Sequence, residues 1–211
     1  MSSRLWIPLL LLGAALAGIG IGRLFLERTP GTSAPVALES GTWFSPPQPL
    51  PDFALVDQNG APAGPGVFKG RWTLVFFGFT HCPEACPTAL ALLASLRREL
   101  AGSLPAEQLP AVLLVTVDPE RDTPAVLKAY MEAFDPTFLA LYTTPEKLAT
   151  LAKDFKLYYK KVEGQTPTSY SVDHSAANYV YDTRGKLRLY SRYGSGAQPL
   201  MADIRLLLET R

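Results

Sequence analysis

Sulfur and imidazole are scarce in this sequence, and charge is neither abundant nor one-sided. Its 211 residues include only 2 cysteines, 2 histidines and 3 methionines. Two cysteines in one short turn do not form a disulfide scaffold, and the scattered methionines form no methionine-rich metal-binding motif. The formal net charge is +1 with 18% charged residues, and no cluster of lysine or arginine is present. Nucleic acid is therefore not an expected partner.

The N-terminal part of the chain predicts attachment to a membrane. Residues 5–22 are apolar and uncharged, with about the minimum length of a membrane-spanning helix. We interpret residues 1–26 as a single transmembrane anchor or an uncleaved signal, with a cleaved signal peptide as the alternative. Residues 27–50 are rich in proline and predict an extended linker. Residues 51–211 would then form one domain facing the periplasm from the inner membrane, or the mitochondrial intermembrane space in a eukaryote.

Both cysteines lie in residues 72–90, which read WTLVFFGFTHCPEACPTAL. The apolar first half is typical of a buried strand, and leucines spaced three and four apart then predict a helix. Proline is excluded from a helix interior but favoured at its first position, so we expect the helix to begin at Pro87. Cys86 would then be the N-cap, with Cys82 in the preceding loop. Unpaired amides and the helix dipole would favour the thiolate there.

Strands and helices alternate along the rest of the domain and predict an α/β fold. The apolar and turn patterns give strands near 51–57, 111–117, 138–142, 156–163, 178–181 and 187–190 and helices near 87–101, 124–134, 145–155 and 199–207. The helices near 124–134 and 145–155 each start at a threonine-proline pair, and Tyr130 belongs to the apolar face of the first of these two. Residues 164–171 are expected to be a polar loop. Residues 182–185 indicate a hairpin turn, so the last two strands would be antiparallel. The result is a thioredoxin-like fold, with a mixed sheet, a parallel core, an antiparallel hairpin and flanking helices.

Thiols four residues apart allow either a disulfide or a soft-metal site. Two thiolates rarely complete a metal site, so a further ligand must come from elsewhere. The two histidines are His81, beside Cys82, and His174, far along the chain. From the residues alone, His174 is equally well explained as a solvated loop histidine bonded to Asp173.

Three blocks of sequence carry a resemblance to a known family. FFGFTHCPEACP, TVDPERDTP and VDHSAANYVYD match the Sco/SenC family of copper-binding cytochrome c oxidase assembly factors in order and rough spacing. The anchor and linker also match that family's layout. The resemblance implies copper, as Cu(I), Cu(II) or both, bound by Cys82, Cys86 and His174. It also implies a redox-active disulfide between Cys82 and Cys86, and the copper-centre subunit of the oxidase as partner.

Alternatives to a copper chaperone remain at this point. The family is functionally mixed, so the protein could be a thiol-disulfide reductase or redox sensor whose partners are other copper carriers or thiol-disulfide proteins. Cys82 would then attack a partner disulfide and Cys86 would resolve it. A peroxidase fits the paired cysteines less well. Zinc is the alternative metal, with His81 as a fourth ligand.

Two carboxylates are expected beside this site. Asp118 follows the strand next to the cysteine strand, where it would be a turn residue or would order the cysteine loop. Asp173 would orient His174, as carboxylates near metal-binding histidines commonly do.

Overall fold

An eight-stranded mixed sheet is the centre of the computed structural model, which describes residues 38–165 and 169–209. The spatial order of the strands is β1-β10-β9-β4-β5-β6-β2-β3, and β7 and β8 form a separate two-stranded hairpin. The strands are β1 (Gly41–Gln48), β2 (Leu55–Asp57), β3 (Pro62–Ala63), β4 (Thr73–Gly78), β5 (Ala111–Thr116), β6 (Leu139–Tyr142), β7 (Tyr159–Glu163), β8 (Tyr170–His174), β9 (Ala177–Tyr181) and β10 (Leu187–Arg192).

The parallel part of the sheet consists of β4, β5 and β6. Every residue of β4 and β5 is buried, which explains why both read as continuous apolar runs rather than alternating patterns. On the other side of β4, β9 is antiparallel, followed by β10 and then β1. The predicted mixed sheet with a parallel core and an antiparallel hairpin is confirmed.

In the described part of the chain, four helices accompany the sheet, namely α1 (Ala85–Leu100), α2 (Pro124–Glu132), α3 (Pro145–Asp154) and α4 (Ala197–Glu209), with short 3-10 turns at Pro65–Phe68 and Ala106–Gln108. The threonine-proline pairs predicted the starts of α2 and α3 correctly. The side chain of Thr123 accepts a hydrogen bond from the amide of Val126, and Pro124 occupies the first turn, where no amide donor is needed.

The N-terminal boundary of the folded domain differs from the prediction. Residues 41–48, which we assigned to the linker, form the edge strand β1. Its prolines are tolerated because pairing with β10 is interrupted between Trp43 and Gln48, and because an edge strand needs amide donors on one side only. The predicted anchor, residues 1–26, lies outside the described residues. Within the described part of the chain, no helix combines the length and apolar character that crossing a membrane requires.

A second difference concerns the strand that carries His174. Residues 164–171 were expected to be a polar loop, but Tyr170 already begins β8, which pairs with β7 from Tyr159↔His174 to Glu163↔Tyr170. Only Val172 of β8 is buried, so the strand lacks the apolar pattern from which it could have been recognised.

The end of α3 contains an unusual backbone conformation. The amide of Leu157 donates to the carbonyl of Ala152 (2.7 Å) and that of Lys156 to Lys153 (3.1 Å), the paired bonds of a Schellman motif. The motif requires a left-handed residue, usually glycine, and here Lys156 takes that place with φ of 54°. A side chain in this conformation costs roughly 1 kcal/mol.

We therefore expect Lys156→Gly to raise the free energy of unfolding by roughly 0.5–1 kcal/mol, because it removes the strain of the left-handed conformation. Urea denaturation measures the difference. Lys153→Gly is the matched control, since glycine inside the last helical turn lowers stability by about 1 kcal/mol. Equal effects of the two substitutions would contradict the assignment of Lys156 as a strained residue.

Candidate metal centre

The first turn of α1 contains Cys86, and the helix begins earlier than predicted. Its N-cap is Glu84, not Cys86, and the first helical residue is Ala85, not Pro87. The amides at the start of a helix have no intrahelical acceptor, so Pro87 loses nothing there. The first backbone bond runs from the amide of Thr88 to the carbonyl of Glu84, at 3.1 Å.

The sulfur of Cys82 takes over the capping role. The amide of Cys86 donates a hydrogen bond to Cys82 Sγ at 3.3 Å, and the amide of Cys82 donates to the carbonyl of Phe79, also at 3.3 Å. Cys82 is half-buried, Cys86 is fully buried, and both are free thiols. The structure thus brings the two predicted cysteines together at the start of one helix.

Close packing against β4 fixes the position of the Cys86 thiol. A Cβ atom placed on Gly78 would lie 2.9 Å from Cys86 Sγ and 2.6 Å from Cε1 of Phe76, so only glycine leaves room for the sulfur. Burial raises the pKa of the Cys86 thiol well above its usual range. The expectation that the helix N-terminus favours the thiolate is therefore wrong for Cys86, because loss of hydration outweighs the amides and the dipole.

His174 reaches the same end of the sheet from the other side of β4. Because β9 is antiparallel to β4, it starts where β4 ends, with Asn178 paired to Phe76, and His174 lies just before that start. The imidazole packs edge-on against Phe79 and Phe76, with ring centroids 5.8 Å and 6.3 Å away. Its Nδ1 is buried and has no hydrogen-bond partner among the described residues. Burial also lowers the pKa of His174, which favours the neutral ring.

The three predicted ligands are connected through β4 and Phe79, but they do not form a ready-made site. Phe79 contacts the His174 ring, and its carbonyl accepts the hydrogen bond of the Cys82 amide. Phe76 of β4 also contacts His174, and Cys86 packs against Gly78 of the same strand. Among residues 38–165 and 169–209, no three His, Cys, Asp or Glu side chains are grouped closely enough to hold a metal ion.

Asp122, in the loop between β5 and α2, holds the cysteine loop in place. Its buried carboxylate accepts hydrogen bonds from the Thr80 hydroxyl (2.5 Å), the Thr80 amide (3.1 Å) and the Thr116 hydroxyl (2.7 Å). Burial raises the pKa of Asp122, while these hydrogen bonds oppose the increase. His81 is turned toward this pair, with its Nδ1 3.1 Å from the Thr80 hydroxyl and 4.0 Å from Asp122, and its side chain is 53% exposed.

Asp118, in the same loop, holds the hairpin that carries His174. It accepts hydrogen bonds from Arg121 Nε (2.5 Å) and from the hydroxyl of Tyr170 (2.7 Å). Arg121 also donates to the Tyr170 carbonyl at 2.9 Å and lies 3.7 Å from the centre of the tyrosine ring. Because Tyr170 begins β8, this cluster fixes one end of the strand that ends in His174. The Asp118 carboxylate therefore orders the hairpin rather than the cysteine loop.

Asp173 does not orient His174 through a hydrogen bond, contrary to expectation. Successive residues of a strand point to opposite faces, so Asp173 is exposed while the neighbouring imidazole turns inward. The residues that sequence reasoning missed are Asp122, Arg121 and Tyr170. Asp122 and Arg121 lie in the block TVDPERDTP, which drew attention to the loop without indicating these roles.

Tyr130 of α2 is a further residue near the cysteines, which the sequence indicated only as part of an apolar helix face. Its hydroxyl is buried without a hydrogen-bond partner among the described residues. Burial raises the pKa of Tyr130, and negative charge on Cys86, Cys82 and Asp122 would add to the increase.

The fold and this site define a class: a thioredoxin-like thiol protein with paired cysteines at a helix start and, across β4, a half-buried histidine whose Nδ1 has no hydrogen-bond partner among the described residues. More specifically, the chain belongs to the SCO1/SenC family, whose profile matches residues 45–209. The family resemblance predicted from the three sequence blocks is confirmed.

Relatives of known name agree with this assignment. A SCO2-like protein of Rickettsia felis is 33% identical over 191 residues, spanning 89% of this chain and 91% of that protein. A putative copper-binding protein of Stutzerimonas stutzeri is 41% identical over 146 residues, spanning 68% of this chain and 69% of that protein. The crystal structure of Arabidopsis thaliana ScoI with copper bound superposes with a TM-score of 0.70 at 26% identity, covering 77% of this chain and 100% of that chain.

We expect the two thiols to react at different rates. Because Cys86 is fully buried and its pKa is raised, iodoacetamide at pH 8 should alkylate the half-buried Cys82 at least about tenfold faster in the folded, reduced protein. Peptide mass spectrometry measures both rates. In urea the two rates should converge, and equal rates in the folded protein would contradict the buried position of Cys86.

Replacing Asp122 by Asn should lower the free energy of unfolding by about 1–3 kcal/mol, because the amide cannot accept all the hydrogen bonds from Thr80 and Thr116. Chemical denaturation gives the value. Glu120→Gln is the matched control from the same loop. Glu120 forms an exposed ion pair with Lys161, so its loss should cost less than about 1 kcal/mol. Similar losses for both substitutions would refute the anchoring role of Asp122.

Proposed function

We propose that this protein is a copper chaperone that binds the metal through Cys82, Cys86 and His174 and delivers it to cytochrome c oxidase during assembly. The observation that carries the proposal is the buried Nδ1 of His174, which has no hydrogen-bond partner among the described residues. A buried polar atom without a partner is costly, and a metal ion would satisfy it. Phe79, whose ring contacts His174, also accepts the hydrogen bond of the Cys82 amide through its carbonyl, and both cysteines are free thiols.

The donor set favours copper over zinc. Two thiolates and one imidazole suit Cu(I) in a three-coordinate site and can also bind Cu(II), whereas structural zinc prefers four ligands. His81 would be the fourth ligand for zinc, but it interacts with Thr80 and Asp122 and is half-exposed. The copper named in the Stutzerimonas and Arabidopsis relatives supports the same choice.

Each ligand has a distinct task when the metal binds. The buried Cys86 thiol must lose its proton, and the metal charge compensates the thiolate that burial otherwise disfavours. The Cys86 amide, already directed at Cys82 Sγ, stabilises negative charge on that sulfur. His174 requires no deprotonation, because burial keeps it neutral. An oxidised Cys82–Cys86 pair could not bind, so the redox state of the two cysteines controls loading.

The cellular setting follows from the same proposal. Residues 1–26 would hold the protein in the inner membrane, with the domain on the periplasmic side, or in the intermembrane space in a eukaryote. The receiving partner would be the copper-centre subunit of the oxidase, and other copper carriers would supply the metal. Family membership supports the role in oxidase assembly.

A thiol-disulfide reductase or redox sensor is the second candidate, and the unequal burial of the cysteines favours it. The half-buried Cys82 is placed to attack a partner disulfide, and the buried Cys86 to resolve the mixed disulfide. Two thiols would be oxidised to one Cys82–Cys86 disulfide while the partner disulfide is reduced to two thiols. Such a reductase would keep the oxidase copper-site cysteines reduced, and it has no need of His174.

Anaerobic titration of the reduced protein with Cu(I), against a competing chelator, tests the chaperone. We expect one copper per protein, and His174→Ala should weaken binding at least about tenfold because a ligand is lost. His81→Ala is the matched control, since His81 lies next to Cys82 without being a ligand, and it should leave the affinity unchanged.

Copper binding that does not depend on His174 would favour the reductase over the chaperone. If His174→Ala and His81→Ala both bind copper as the wild type does, while the metal-free protein still reduces a disulfide in an oxidase copper-site peptide, metal carriage by His174 is refuted. Cys86→Ser should then accumulate a mixed disulfide through Cys82, which mass spectrometry detects.

A further inference from the structure

A cavity of about 500 Å³ lies away from the cysteines, against the antiparallel part of the sheet. Its walls come from β9 and β10, from residues 44–51 and from the end of α3. Neither cysteine nor His174 lines it, so it is separate from the candidate metal centre. Its volume is in the range of small-molecule sites, roughly 300–1,000 Å³.

Three tyrosines form one aromatic wall of this cavity. Tyr179 and Tyr181 are two residues apart on β9 and so share a face, and Tyr190 of β10 is the register partner of Tyr179. The rings of Tyr179 and Tyr190 pack edge-on with centroids 5.2 Å apart. Phe155 adds a fourth ring from the end of α3. A flat conjugated molecule would find edge and face contacts here.

The hydroxyls of these tyrosines have no protein partner. None of the three donates or accepts a hydrogen bond within the described residues, although Tyr179 and Tyr181 are almost fully buried. Burial raises the pKa of Tyr179 to about 12, so its hydroxyl keeps its proton and remains a donor. The rings are packed into the protein, but none of the three hydroxyl oxygens is fully enclosed by the described residues. These hydroxyls are therefore free to donate to a polar group that enters the cavity from outside the chain.

Lys156 supplies positive charge at the mouth of the same cavity. It is exposed and forms no ion pair with a described residue, and it occupies a left-handed position where glycine would be less strained. A lysine in such a place costs stability without any compensating contact in the fold. Asp154, also exposed at the mouth, carries the opposing charge.

We propose that this cavity is a binding site for a planar aromatic carboxylate. The aromatic ring would pack against Tyr179, Tyr190 and Phe155. The carboxylate would accept hydrogen bonds from tyrosine hydroxyls and from the Lys156 ammonium. Carboxylate oxygens accept several such bonds at once, which matches a site rich in donors. The site is independent of the copper proposal, because it shares no ligand with the metal centre.

The test uses benzoate and 2-naphthoate as probes of the metal-free, reduced full-length protein, followed by amide chemical shifts in NMR titrations. We expect saturable binding, with the largest shifts at Tyr179, Tyr190, Lys156 and Ser175. Lys156→Gln should weaken binding about threefold to fivefold, and Asp154→Asn should strengthen it by a similar factor, because the two changes remove attraction and repulsion respectively.

Two control variants distinguish specific binding in the cavity from a general effect of surface charge or of aromatic packing. Lys153→Gln removes an exposed cation of α3 that does not line the cavity, and it should leave binding unchanged. Tyr190→Phe keeps the ring but removes one donor, and it should weaken benzoate more than the neutral benzyl alcohol. Absence of saturable binding up to about 10 mM would overturn the proposal. So would binding that is indifferent to both Lys156→Gln and Tyr190→Phe, or shifts centred on Cys82 and Cys86.

Discussion

The buried carboxylate of Asp122 is the interaction on which the cysteine end of the molecule depends. It joins Thr116 at the end of β5 to Thr80 in the cysteine loop, and both threonine hydroxyls and one amide converge on it. The neighbouring Asp118 and Arg121 extend the same loop to Tyr170 on the hairpin. One short loop therefore sets the positions of both the thiols and the imidazole, although it contributes no proposed ligand.

The environment of Cys86 shows how burial competes with helix electrostatics. The start of a helix favours a thiolate, yet Cys86 is fully buried and packs closely against Gly78, so the loss of hydration dominates. A thiol in such an apolar environment stays protonated unless a nearby positive charge stabilises the thiolate. The arrangement therefore opposes ionisation of the empty site, and under the proposed function the copper ion would supply the compensating charge.

Sequence reasoning predicted the parts of the fold that local chemistry determines. Continuous apolar runs identified β4 and β5, and threonine-proline pairs identified the starts of α2 and α3. The elements that the sequence did not predict are strands whose formation depends on pairing with distant residues. β1 was not predicted because it contains prolines, and its conformation depends on pairing with β10. β8 was not predicted because most of its residues are polar, and it pairs with β7 outside the main sheet. The spacing of the cysteines indicated a site, but the role of Asp122 depends on a contact across 42 residues of sequence that no local pattern reveals.

The hairpin of β7 and β8 stands apart from the main sheet, and this separation bears on how a bound ion would leave. The sulfurs of Cys82 and Cys86 are joined at the start of α1 by the hydrogen bond from the Cys86 amide to Cys82 Sγ. The imidazole of His174 belongs to the hairpin, whose two strands hydrogen-bond to each other. A cargo held this way need not break all its bonds together, because an incoming donor can replace the nitrogen first and the sulfurs afterwards. If the protein carries copper as proposed, such stepwise exchange would lower the kinetic barrier to transfer without weakening the resting complex.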